Sequence, residues 1–400
     1  MTAMRRALPF AMDRYLLLPL GACIALLWAN TAPAGYFVVA DRLSFAVNEV
    51  GMTLFFALMT REVLEATSPD GPLHTWRRVM LGVAAAVGGV VGAVASYITY
   101  LHLGDEGSVL LRGWPIVCAT DIAFAYCVAR TVCSPAALPF LLLVGIISDA
   151  IGMAVLMIRV PAGDVHASGA ALVIMSITSA IVMRRCEVRS FWPYLIGPGS
   201  LSWSGLFLSG LHPALALVPV VVLLPRTARV RGFMVDAPAR ARAPLSCFYR
   251  AMKAPGHGVL FLFGIVNAGV VLKGAGTGTW AVALAAGVGK PAGILIAVAL
   301  AVAAGLRLPR HVGWRDMIVV ALSASTGFTF ALFFATVTFG VGPVLNETKL
   351  GALLSVDASL VTIAVARLLR VGRFAEPRAP GATVPRRYRR AYSTLPPTIV

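Results

Sequence analysis

Trp114-Pro-Ile-Val-Cys-Ala-Thr-Asp-Ile-Ala-Phe124 is an apolar stretch with an acid in its middle. Pro115 removes a backbone donor, and Thr120 and Asp121 offer side-chain oxygens to backbone groups left without a partner. In hydrocarbon every such group must be satisfied inside the protein. The stretch therefore predicts a membrane helix interrupted near its centre, its loose ends held by side chains or by an ion. Asp121 as a plain helix cap is the simpler alternative, and the two roles are compatible. Ser323-Ala-Ser-Thr-Gly-Phe-Thr-Phe330 predicts a second interruption, and Thr326-Gly-Phe-Thr-Phe330 weakly echoes Thr120-Asp-Ile-Ala-Phe124. Two broken spans in corresponding halves of a chain point to the binding site of a secondary transporter.

The rest of the chain is consistent with a membrane setting. Of 400 residues, 58% are hydrophobic and 13% charged, about half the charge of an average soluble domain. Twelve apolar segments can be marked, near 15–31, 43–64, 79–102, 114–132, 138–159, 168–183, 191–209, 212–224, 258–272, 279–306, 317–340 and 349–369. The expected fold is an all-α integral membrane bundle of about twelve transmembrane helices. Residues 1–14 form a short N-terminus and 15–370 the transporter domain. The connection 225–257 is the one sizeable polar linker, and the basic tail 371–400 is expected to be disordered beside anionic lipid.

The net charge of +17 would suggest nucleic acid on a soluble protein, but its distribution excludes that. With the N-terminus in the cytoplasm, 27 of the 34 Lys and Arg residues fall on the cytoplasmic side, five on the other, and Arg61 and Lys290 within spans. Both termini are then cytoplasmic. The six cysteines form no CxxC pair and read as small apolar residues. The histidines are dispersed, and no phosphate loop, zinc site or nucleophile triad is visible.

A charge at mid-bilayer costs about 2.5–3.5 kcal/mol on insertion scales, so charges within spans mark function. Seven qualify: Glu49, Arg61, Glu62, Asp121, Asp149, Lys290 and Asp357. Asp149, in Leu142-Leu-Val-Gly-Ile-Ile-Ser-Asp-Ala-Ile-Gly-Met153, has apolar flanks and no base within a turn or two. It can take a cation or a proton, which compete for the same oxygens. Lys290, in Gly287-Val-Gly-Lys-Pro-Ala-Gly293, needs a carboxylate partner or must shed its proton, unless it snorkels. Glu62 and Arg61 close the second span and also fit ordinary interface charges.

These residues resemble the NhaA family of bacterial sodium/proton antiporters in order and spacing. The resemblance is carried by Trp28-Ala-Asn-Thr31, Trp114 to Phe124, Gly210-Leu-His-Pro-Ala214, Asn267-Ala-Gly-Val270, Gly289-Lys-Pro291, Gly327-Phe-Thr329 and Lys349-Leu-Gly351. It implies two inverted three-helix repeats, spans three to five and ten to twelve, with broken helices crossing at spans four and eleven. It implies Asp149 as the sodium- and proton-binding aspartate, Thr120 as an auxiliary ligand, Asp121 as the acid that compensates helix dipoles, Lys290 as the buried lysine and Glu62 as the cytoplasmic-funnel acid. It implies a bacterial inner membrane, no cofactor beyond the transported Na+ or Li+ and H+, no enzyme activity, and a homodimer in membrane lipid.

Three departures stand out. The family places two adjacent aspartates in the fifth span, and the first is here Ser148, a potential extra oxygen ligand. The pH-linked acidic and histidine cluster opening the ninth span is replaced by Cys247-Phe-Tyr-Arg-Ala-Met252. The basic pair after the funnel acid is Leu64 and Glu65. Lys290 has thus lost a counter-charge, and Asp149 or Asp357 is its expected partner. Electroneutral or weakly coupled exchange with blunted pH control follows. The alternatives are a degenerate, non-transporting homologue acting as a sensor or partner subunit, a sodium-coupled symporter of an organic solute, and an aspartyl protease using Asp121 and Asp149. The last lacks the Gly-x-Gly-Asp string.

Overall fold

A computed structural model describes residues 17–66, 76–104, 108–159, 167–225, 243–309 and 311–374. The N-terminus 1–14, most of the linker 225–257 and nearly all of the tail 371–400 lie outside them.

The described residues contain helices and no strand. Each of the twelve apolar segments has its own helix or interrupted helix. The first is α1 (Leu17–Thr31), followed after one residue by α2, which runs from Pro33–Phe45 through a π-turn at Ala46–Gly51 into Met52–Ala66. Then come α3 (Trp76–Leu103), α4 (a 3-10 turn at Trp114–Val117, then Ile122–Val132), α5 (Leu138–Arg159) and α6 (Ala167–Arg185). Helix α7 joins Trp192–Tyr194 to Ser200–Leu208 through a π-turn, and α8 is short, a turn at Pro213–Leu215 and then Leu217–Leu223.

Helix α9 (Pro244–Asn267) begins fourteen residues before the expected 258, with Pro244 in its first turn where a missing N–H costs nothing. The polar connection is shorter than 225–257 by that much. Helix α10 joins Thr277–Leu284 to Lys290–Ala303 through a π-turn, α11 is Trp314–Ser323 and Phe328–Thr338, and α12 is Pro343–Leu354, a 3-10 turn and Ala358–Leu368. Among the described residues, six helices are long and apolar enough to cross a membrane. The other six segments are short, interrupted or charged at one end, and α11 bends by 42° at its break. The cysteines divide: Cys118 and Cys133 are buried, while Cys23 and Cys186 lie on the outer surface.

The helices pack as two groups. In one, α9 lies along α1 and α2, α7 along α6, and α8 against α2 and α6. In the other, α10 lies along α3, α5 against α3 and α4, and both halves of α11 against α12. The second group consists of two like triplets, α3–α5 and α10–α12, each with an interrupted helix in the middle. Along the seam between groups, α2 meets α5 and α9 meets the second half of α11.

Small residues set the tightest pairing, α3 on α10. A Cβ on Gly92 would collide with the Gly289 carbonyl and sit 2.6 Å from the Gly293 Cα. Helix backbones in lipid approach this closely only over such residues. Gly92→Val is expected to destabilise by about 1–3 kcal/mol, the usual range for overpacking. Gly258, whose Cβ would meet nothing within 4 Å, is the control: Gly258→Ala should be neutral or stabilising by at most ~1 kcal/mol. Thermal melts of the two variants in detergent check this.

Candidate ion-binding site at the broken helices

The interruptions of α4 and α11 meet. Residues 118–121 and 324–327 leave the helical path and lie against each other, the Asp121 N–H donating to the Thr326 carbonyl over 2.8 Å. The Thr120 hydroxyl donates to the Ala324 carbonyl over 3.1 Å. Two backbone carbonyls freed by the second break thus find donors in the first.

Asp121 attends to the opposite ends. Its backbone is extended (φ −83°, ψ 93°), and one carboxylate oxygen accepts the Phe124 N–H at 3.2 Å, capping Ile122–Val132. The other accepts the Thr329 N–H at 3.3 Å and the Thr329 hydroxyl, capping Phe328–Thr338. One carboxylate therefore sits at the partly positive N-termini of two half-helices, where a negative charge is stabilising.

Lys290 serves the first turn of α4. Its side chain is 1% exposed, and the ammonium donates to the Ala119 carbonyl at 2.5 Å. Neither Asp149 nor Asp357 forms an ion pair with it. Asp357 is exposed, on the 3-10 turn of α12, so the expected pairing of Lys290 with Asp149 or Asp357 is corrected. With Ser148 uncharged, a main-chain carbonyl is the group within reach.

Asp149 projects from the middle of α5 and is fully buried. Neither of its carboxylate oxygens makes a hydrogen bond. The Thr120 N–H acts on it from the first break, and Asp121, Glu62 and Lys290 are the charges that act on it. Ser148, its chain neighbour, and Thr120 of the first break are also buried. A carboxylate without hydrogen-bond partners, surrounded by protein, has two oxygens free for a proton or a cation.

Glu62 is half-buried near the end of α2. Its neighbour Arg61 pairs with Glu65 and lies 3.9 Å over the Tyr249 ring of α9. Glu49 approaches His212 of the α7–α8 connection at 3.5 Å.

The structure thus brings Asp149, Thr120, Asp121 and Lys290 to one crossing, with Glu62 within electrostatic range and Ser148 buried next to Asp149 in the chain. The unexpected member is Thr329. It lies in the segment that echoes Thr120 to Phe124, and pairing the two motifs would have found it. The Ala119 and Ala324 carbonyls carry no side-chain signal at all.

Residues 15–368 match the sequence family described as Na+/H+ antiporter 1. The chain belongs to this family. The Na(+)/H(+) antiporter NhaA of Geobacter metallireducens is 38% identical over 366 residues, which cover 88% of this chain and 95% of that protein. The Na(+)/H(+) antiporter NhaA of Desulfitobacterium hafniense strain DCB-2 is 34% identical over 390 residues, covering 95% and 100%. Among solved structures, the sodium proton antiporter MjNhaP1 from Methanocaldococcus jannaschii at pH 8 shares the fold with a TM-score of 0.58, at 13% identity over 91% of this chain and 92% of that one. The Na+/H+ antiporter 1 fold is therefore a multi-pass membrane bundle here, as the apolar pattern indicates.

Removal of the double cap should be costly. Asp121→Ala leaves the N-termini of two buried half-helices without their acceptor and is expected to destabilise by about 2–4 kcal/mol. Asp357→Asn, at an exposed turn, should stay within about 0.5 kcal/mol of the parent. Detergent melts of the two variants, run side by side, check the difference.

Proposed function

We propose that this chain exchanges Na+ or Li+ for H+ across the bacterial inner membrane, the two ions competing for Asp149. The observation that carries it is the buried Asp149 carboxylate with both oxygens unpartnered, at the crossing of two broken helices. A carboxylate cannot stay ionised in such a place without a counter-ion. Sodium supplies one charge, and a proton removes the need for it. The names of the NhaA relatives support the choice of ions.

The geometry supports a role for Thr120. Its hydroxyl proton is committed to Ala324, which leaves its oxygen lone pairs for a cation at Asp149. Ser148 is the neighbouring oxygen. At high proton activity Asp149 is protonated and the cation leaves. At low proton activity it ionises and binds one. Movement of the triplet group against the other helices then carries the site to the opposite face. Glu62 stands at the mouth of the cytoplasmic route, and the 27:5 distribution of basic residues supports cytoplasmic termini.

The exchange is electroneutral on this reading. Lys290 is engaged by the Ala119 carbonyl, Asp121 by two helix caps, and Ser148 carries no charge. One carboxylate remains to load, so one Na+ replaces one H+. Restored growth of an antiporter-deficient bacterium under sodium stress separates this from a non-transporting homologue, which cannot rescue it.

In proteoliposomes, Asp149→Asn should lower sodium-driven proton flux by at least about a hundredfold while leaving the protein folded, since the amide can neither ionise nor release a proton. Normal flux in that variant would remove Asp149 from the mechanism. With the wild type, clamping the membrane potential should leave rate and direction unchanged. Ser148→Asp adds a second carboxylate and should make the flux voltage-dependent.

A further inference from the structure

The seam between the two helix groups holds a buried polar cluster that the exchange chemistry does not use. Asn48 lies on the π-turn of α2 and Asn267 at the end of α9, both in the first group. Their amides bond reciprocally: Asn267 Nδ2 donates to Asn48 Oδ1 at 2.8 Å, and Asn48 Nδ2 to Asn267 Oδ1 at 3.3 Å. Thr336, on the second half of α11 in the other group, donates to Asn267 Oδ1 at 3.1 Å. The two asparagines are 6% and 1% exposed.

The cluster lies on the far side of the site from Glu62. Thr336 is seven residues beyond Thr329, the partner of Asp121, or roughly 10 Å along the helix at 1.5 Å per residue. Between them, Phe330 and Phe333 pack on Phe55 and Phe56 of α2 and close the seam. Asn267 is held firmly on its own side. The Tyr36 hydroxyl donates toward the Ile265 and Val266 carbonyls at the end of α9, and accepts the Gly269 N–H.

We infer that Thr336 and the Asn48–Asn267 pair form a latch that holds this face of the transporter closed. It rests on the alternating-access reading above. The chemistry suits a bond that must be broken in each cycle. The Thr336 hydroxyl has one proton and two acceptors, Asn267 Oδ1 and its own Leu332 carbonyl at 2.8 Å. When the seam parts, the proton falls back on Leu332, a normal helix-internal bond for threonine. Asn267 Oδ1 keeps the Asn48 donor, and both asparagines move together. No donor or acceptor is orphaned, so opening avoids the penalty of a buried unsatisfied group.

Thr336→Val keeps the shape and removes the bond, which exists only while this face is closed. It should shift the population toward the state open on this face by about three- to tenfold, the ratio that one hydrogen bond commands. In oriented proteoliposomes, half-saturating Na+ should therefore fall on the face of the α9–α10 connection and rise on the Glu62 face. Thr336→Ser, which retains the hydroxyl, should match the wild type. A purely structural role would move both faces in the same direction or neither, and either result overturns the latch. Loss of all Na+/H+ exchange in wild-type vesicles would instead overturn the antiport reading beneath it.

Discussion

A bilayer allows no backbone group to go without a partner, and everything at the centre of this protein follows from how two interrupted helices meet that demand. The breaks in α4 and α11 free N–H groups at two helix N-termini and carbonyls at the ends of the preceding turns. Asp121 takes the N-termini of both half-helices with one carboxylate, Thr120 takes the Ala324 carbonyl, and Lys290 takes that of Ala119. Charge follows the helix dipoles, an acid at the positive ends and a base at a negative one. Protein groups thus hold the crossing from both sides.

That arrangement explains why Asp149 differs from the acid closest to it in chemistry. Asp121 is saturated with hydrogen bonds and is best suited to structure. Asp149 has none and sits on the neighbouring unbroken helix, α5, facing the crossing. Two aspartates in one region thus stand in opposite states, one committed to the backbone and the other, on the function proposed above, left to exchange ligands. Lys290 stands with the first of these. Ser148 offers it no charge, and its ammonium is turned to a main-chain carbonyl.

Movement has to be arranged around this crossing rather than through it. The hydrogen bonds among α4, α10 and α11 all fall within one helix group, so the site can travel as a unit. The seam to the other group is closed mainly by aromatic rings, which slide without leaving polar groups exposed. At one end it carries the threonine bond to Asn267, and nearer Glu62 a weak one from Thr60 to the Met153 sulfur. Close glycine pairing ties α3 to α10 within this group.

Much was legible in the residues. Hydropathy and the placement of Lys and Arg determined a multi-span helical bundle, because lipid excludes both charge and unpaired backbone whatever the packing. Pro115, Thr120, Asp121 and Gly327 determined the two interruptions, since each is a local property of the chain. Buried charge marked Asp149 and Lys290. The length of α2 and the early start of α9 were not visible, because helices extend into polar flanking sequence once neighbours cover them. Partner choice was likewise out of reach. That Asp121 caps α11 through Thr329, that Lys290 meets Ala119 and not an acid, and that Thr336 reaches Asn267 are contacts between distant segments. Two of them end on main-chain atoms, which every residue possesses, so only the tertiary structure decided them.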